Sequence, residues 1–326
     1  MIIRYKSFLI VALLIGLSLY LSSSVFASTS YSKAYIAMAF SDTVKVIDTQ
    51  SLKVIDTLPG GKNPHGVTVS PDGKFLYLPS MFGGTEFLTV VDTKKREVID
   101  SIKVGKASHH AAVSPDGRYL YVAVFPENEG VVVIDTQTRT IIDQIDTGKE
   151  PFYLEFSSDG KRVYVMNVES GNLAVIDASS RKVIARVDTG AGRGHLSITP
   201  DGKQVYVTND GSYTLIAVDA VKNEVTWRVK TGKSPHGVAV THDGKRVFVA
   251  NRGEKTLSVV DTSTRRVVEE IKVNSAPDHL TITPDGRYLY ITLLGTEEVM
   301  VYDVTKNEKV AVIPVGPQPH QIVFSP

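Results

Sequence analysis

The sequence predicts an all-β fold, a seven-bladed β-propeller of four-stranded blades. Three observations carry this expectation. Seven aspartates (Asp48, Asp92, Asp135, Asp177, Asp219, Asp261 and Asp303) each close a short run of mostly Val and Ile, at spacings of 44, 43, 42, 42, 42 and 42 residues. A period in the forties with strand-like content corresponds to one propeller blade per repeat. A turn tripeptide, Pro-Asp-Gly or Ser-Asp-Gly, recurs in step with it at Asp72, Asp116, Asp159, Asp201 and Asp285. The two ends of the chain hold complementary parts of one blade.

Residues 1–27 have the layout of a secretory signal peptide. Arg4 and Lys6 precede an apolar run over residues 8–21, and Val25-Phe26-Ala27 offers a small-residue cleavage point. The run is shorter than the roughly 20 residues a spanning helix needs, so cleavage after Ala27 is expected rather than an anchor. The propeller then occupies residues 28–326, and the protein is expected outside the cytoplasm, in a periplasm or at the cell surface.

One repeat, residues 232–273, shows how each blade is written. Residues 237–241 are short and apolar, the candidate innermost strand. His242-Asp243-Gly244 makes the turn: Asp bonds the local backbone and Gly accepts positive φ. Residues 246–250 form the second strand and 256–260 the third, ended by Asp261. Residues 266–273 form the outermost. Runs such as Val131-Val132-Val133-Ile134 are apolar on successive residues, which suits sheets covered on both faces. Frequent β-branched residues and turn signals argue against helices. At the start, residues 35–39, 44–47 and 53–58 supply three strands but no innermost one. The chain ends on His320-Gln321-Ile322-Val323-Phe324, an innermost strand without its partners. The last strand should therefore close the ring on the first blade, removing open edges.

Removing Arg4 and Lys6 leaves 34 basic against 35 acidic residues over 299 residues, a formal charge of −1. That balance argues against a general polyanion binder. The absence of cysteine excludes disulfides, thiolate-bound zinc, iron–sulfur clusters and Cys-x-x-Cys-His heme attachment. No Gly-x-Ser-x-Gly, Walker-type or His-Glu-x-x-His motif is present.

The chemistry gathers in histidine. Seven of eight histidines, His65, His109, His110, His195, His236, His279 and His320, lie where an innermost strand begins, six or seven residues before the turn aspartate or its expected place. Six blades contribute; the blade with Phe152-Tyr153 does not. Where the seventh position is not histidine (Gly194, Asp278), the sixth is (His195, His279). Copying of one repeat does not predict that compensation. Innermost strands line the axis, so these imidazoles are candidate ligands for copper or another transition metal at the channel mouth. Carboxylates are sparse there, Asp278 excepted, which disfavours calcium or magnesium. The alternative gives each ring to a neighbouring backbone carbonyl. Neighbours along an extended strand point to opposite sides, so convergence of both registers requires different backbone paths. His242, in a turn on the opposite face, is expected in solvent.

Tyr206-Val207-Thr208-Asn209, with Tyr164-Val165-Met166-Asn167 and Phe248-Val249-Ala250-Asn251 as variants, resembles the motif of the YVTN propeller repeats over the whole mature length. That resemblance implies fold and export, and little about activity. The chain is also similar to the propeller of nitrous oxide reductase, whose channel histidines, including an adjacent pair like His109-His110, hold a copper centre. It lacks that family's cysteine-containing domain, so reductase activity does not carry over. The heme-d1-binding propellers of nitrite reduction are a looser resemblance; they have eight blades and use channel histidines, which implies a metallocofactor carrier.

Two long loops, residues 79–86 and 124–130, together with the histidine-free blade, place Met81, Phe82, Phe125, Phe152 and Tyr153 in one sector of the rim, where a protein partner could dock; the alternative folds these rings back onto the blades. Basic turns on the opposite face lack interleaved aromatics, which argues against nucleic acid. The expectation is an exported, monomeric binding module that takes a transition metal or metallocofactor. A metal-free structural or adhesive scaffold, and a copper-dependent reductase or lactonase-like enzyme, are the alternatives.

Overall fold

The computed structural model describes residues 31–325, except 82, 83 and 128. The expected signal peptide over 1–27, and Phe82 of the expected rim, lie outside the described residues. Among the described residues, 28 strands form seven four-stranded antiparallel sheets, and no helix occurs. This is the expected seven-bladed β-propeller.

Closure follows the chain ends. The last strand, β28 (Pro319–Ser325), pairs antiparallel with the first, β1 (Lys33–Met38), with Tyr35 opposite Val323. β2 (Thr43–Asp48) and β3 (Lys53–Pro59) complete that blade. In the other six, four consecutive strands pair in order, the earliest lying innermost.

The sheets are covered on both faces, which explains the unbroken apolar runs. Ile36, Met38 and Phe324 of the closing blade pack against Tyr290, Val299 and Val301 of the blade before it. Similar clusters lie between the other blades. The repeated aspartates hold the turns. Asp135 Oδ1 accepts N–H bonds from Gln137 (3.0 Å) and Thr138 (2.9 Å), and Asp219 does the same for Val221 and Lys222 (both 2.9 Å). At the other turn Asp243 accepts from Thr241 Oγ1 (2.6 Å) and Lys245 N–H (3.0 Å), while Gly244 takes φ 69°. The basic turns on this face are partly neutralised from blade to blade: Arg96 pairs with Asp56, and Arg139 with Asp100 at 3.5 Å.

One boundary differs from expectation in a way that matters. β20 (Pro235–Val240) begins two residues before the predicted 237 and therefore includes His236. Pro235 pairs with Asn251, then pairing resumes at Val238 with Val249, leaving His236 and Gly237 in a bulge. Equivalent breaks fall in β8 (Ala107–Val113) between Ser108 and Ala111, and in β24 (Pro277–Ile282) between Pro277 and Leu280. A bulge re-aims side chains, and these lie at histidines.

Candidate metal centre

All seven channel histidines are buried, none more than 7 % exposed. Their rings form a connected cluster. His65 lies 4.4 Å, centroid to centroid, from both His109 and His320. His195 lies 4.3 Å from His236 and 4.2 Å from His279, and His279 is 6.0 Å from His320. The two sequence registers therefore converge: His236 and His279, one from each, both sit at bulges, and His195 precedes β16 (Leu196–Ile198), whose pairing is unbroken.

A second device supports the shifted register. The two blades whose histidine sits one residue later are those with threonine at the third position of the Tyr-Val-Thr-Asn segment. The His195 N–H donates to Thr208 Oγ1 at 2.8 Å, and the His279 N–H to Thr292 Oγ1 at 3.0 Å. Thr208 Oγ1 also bonds the carbonyl of His236 in the next blade. The blade of His236 has Ala250 at the same position. This His–Thr association was present in the sequence and went unread. Glycine serves the same packing: a Cβ on Gly237 would stand 2.3 Å from the Asp278 carbonyl oxygen, so only glycine admits the neighbouring innermost strand.

Among the described residues several imidazole nitrogens of the cluster are buried without a hydrogen-bond partner, Nε2 of His195, His236 and His279 among them. Ligand atoms of these three residues lie within 4.8 Å of one another. Asp278, fully buried, flanks them. Its carboxylate pairs with Arg252 and lies 3.1 Å from His320 Nδ1, 3.6 Å from His236 Nε2 and 3.8 Å from His279 Nε2. Asp278, His279 and His320 form a second group of the same compactness. His110 is held by Gln321, whose Oε1 accepts the Val67 N–H at 3.0 Å and whose amide nitrogen meets His110 Nε2.

Burial keeps the cluster unprotonated. It depresses His110 to about 3 and His320 to about 4. Burial first, and then the crowding of cationic neighbours, hold His65, His109, His195, His236 and His279 well below the ordinary histidine value. Neutral imidazoles are available as metal ligands. Unpartnered nitrogens in a buried site are costly unless something binds them.

The histidine-free blade contributes aromatic walls. In β12 (Pro151–Phe156), Phe152 stacks on His109 at 3.4 Å, and Tyr153 on His110 at 3.8 Å and His195 at 4.2 Å. Phe152 is buried and Tyr153 half-buried. These two rings thus stack on channel histidines, beside a bulge between Pro151 and Tyr153. Met81 and Phe125 are half-buried. Beyond the cluster the channel holds a cavity of about 240 Å³, lined by Tyr153, Glu155, Ser197 and Thr281 among others. Burial pushes Glu155 up to about 8, a group the sequence reading passed over. His242 is exposed on the opposite face, as expected.

A family model described as the cytochrome D1 heme domain matches residues 34–151 and 163–279, more than half of the chain. No curated protein matches. Among solved structures, hydrazine synthase of Kuenenia stuttgartiensis is 24% identical, with a TM-score of 0.68 over 83% of this chain and 91% of that one. The dihydro-heme d1 dehydrogenase NirN, solved in complex with DHE, is 16% identical, with a TM-score of 0.66 over 90% and 75%. A putative 6-phosphogluconolactonase from Bacteroides uniformis is 19% identical, with a TM-score of 0.73 over 90% and 99%. At these identities the structures speak for the fold alone.

Proposed function

Because the chain belongs to the cytochrome D1 heme domain family, we propose that it is a metallocofactor-binding propeller that takes a heme-type tetrapyrrole at the histidine-lined channel mouth. One observation carries this reading: buried, neutral imidazoles of His195, His236 and His279 converge with their Nε2 atoms unpartnered. The donor set fits a tetrapyrrole iron, for which imidazole is a common axial ligand. Phe152 and Tyr153 supply flat apolar surface beside those donors. Bound there, the cofactor would supply iron redox or ligand-binding chemistry. The chain itself would hold the iron through an imidazole nitrogen of His195, His236 or His279, exclude water by burial, hold the backbone of His195 and His279 through Thr208 and Thr292, and hold the His110 ring through Gln321. A signal peptide over residues 1–27 would carry such a protein out of the cytoplasm, and the channel mouth would be the face seen by a partner protein.

A second reading rests on compactness. Three imidazole nitrogens and a carboxylate within a few ångströms also suit a bare transition-metal ion, with Cu(II) favoured by intrinsic affinity. The two readings separate in one experiment on protein purified without a histidine tag. Hemin and Cu(II) are added singly and in competition, with absorption spectra and metal content followed. Saturable hemin uptake that excludes copper supports the first reading, and copper uptake without hemin uptake supports the second. Neither uptake would leave only a scaffold.

A further inference from the structure

On the face opposite the histidines, five of the seven clefts between blades carry an arginine brace. In three successive clefts a fourth-strand aspartate takes an arginine from the next blade: Asp56 with Arg96, Asp100 with Arg139 and Asp143 with Arg181. In two others a second-strand arginine reaches the next blade's backbone, Arg162 to the Ala220 carbonyl and Arg246 to that of Val304. The cleft between the Tyr206 blade and the Phe248 blade has neither brace. Trp227 stands where the aspartate belongs, and Gln204 where the second-strand arginine belongs.

Arg265 occupies the position of Arg96, Arg139 and Arg181 and shares their left-handed backbone, φ 59° beside 64°, 58° and 55°. Among the described residues it makes no ion pair. Arg265, Trp227, Tyr206 and Gln204 line a cavity of about 580 Å³. The cleft beside Tyr121 is of similar volume, 530 Å³, but there Arg181 is drawn towards Asp143 at 3.9 Å and is not in the lining. The two acids in the Trp227 cleft are engaged locally. Asp201 accepts from Thr199 and the Lys203 N–H, and Asp243 from Thr241 and the Lys245 N–H. The cleft therefore offers a flat aromatic wall beside an uncommitted guanidinium.

We propose that this cleft binds a small aromatic carboxylate, its ring on Trp227 and its carboxylate on Arg265. A guanidinium matches a carboxylate in planar, two-pronged fashion. An indole adds apolar area and offset stacking. In three clefts the protein's own aspartate fills that role; here an external carboxylate does.

Trp227 is the sole tryptophan of the chain, so its emission reports the cleft directly. Sodium benzoate added to the full-length protein should change that emission saturably, and benzyl alcohol, without the charge, should not. Arg265→Gln should weaken benzoate by about tenfold or more, the worth of a charge-assisted hydrogen bond. Arg139→Gln, in a braced cleft, should leave it unchanged. Trp227→Asp, which restores the aspartate–arginine pair, should abolish saturation transfer to benzoate in NMR. No saturable response in the wild type, or equal benzoate affinity in Arg265→Gln, would overturn the proposal. Either result leaves the channel-mouth reading untouched, because the two sites lie on opposite faces.

Discussion

At the scale of residues, the site depends on pairs that hold backbone as much as on the imidazoles. Thr292 accepts the His279 N–H inside the cluster. Thr292→Val should strand that donor, costing about 1–3 kcal/mol of stability and weakening hemin uptake, while Thr292→Ser restores both. Denaturant unfolding and hemin titration of the two variants check this. Glu155 makes a separate prediction. Its pKa, raised from 4.5 to about 8, means the folded channel favours the protonated form. That contribution is complete below the unfolded value and lost as pH rises through about 8. The melting advantage of Glu155→Gln over wild type should therefore grow from about pH 5 to about pH 9, and a constant difference would refute it. The positions of the seven histidines were legible in the sequence. Their convergence was not, because strand alternation alone sends His195 and His236 to opposite sides. The partners Thr208 and Thr292 were visible at one motif position, but only beside the histidine register does their meaning emerge. The sequence left Phe152 and Tyr153 open between rim and blade; their stacking on channel histidines is a contact that composition does not encode.

At the scale of elements, the innermost strands do two tasks: they close the blade and deform at the histidine. Gly237 makes the deformation compatible with close packing. Gly237→Ala would drive a methyl into the Asp278 carbonyl, 2.3 Å away, and shift β20 against β24. The expected cost is about 1–3 kcal/mol, as for other overpacked interiors, together with loss of hemin uptake. Gly84, whose Cβ would meet nothing within 4 Å, makes a steric contrast outside the channel, at a left-handed φ of 63° that Gly237 does not share. Strand order and blade count were readable because every third strand ends in an aspartate that caps its turn. Strand beginnings were less so: Pro235 looked like loop, yet it pairs with Asn251 before the bulge.

At the scale of the whole molecule, ring closure and the buried cluster govern stability together. Deleting residues 319–326 removes β28, His320 and Gln321 at once and bares the β1 edge of the closing blade. The truncated protein should lose its cooperative melting transition and aggregate, as measured by calorimetry and light scattering. The histidines set the acid limit. Their folded pKa values lie below the ordinary 6.5, with His110 at about 3 and His320 at about 4, so the folded state binds fewer protons than the unfolded chain in between. Their contribution is present above about 6.5 and fades as pH falls towards 4, and a bound metal should move that fade to lower pH. The ring has seven blades, one fewer than the heme-d1 resemblance implies, so the family relation bears on the cofactor's class rather than on every contact around it.

The most direct measurement is an equilibrium titration of tag-free protein with hemin, followed at the Soret band, for wild type, His242→Ala and a His195→Ala/His236→Ala/His279→Ala variant that still melts cooperatively. Convergent, unpartnered nitrogens predict saturable one-to-one uptake by wild type and His242→Ala, and its loss in the triple variant. Equal uptake by all three, or none by the wild type, would contradict a channel-mouth site built on those imidazoles.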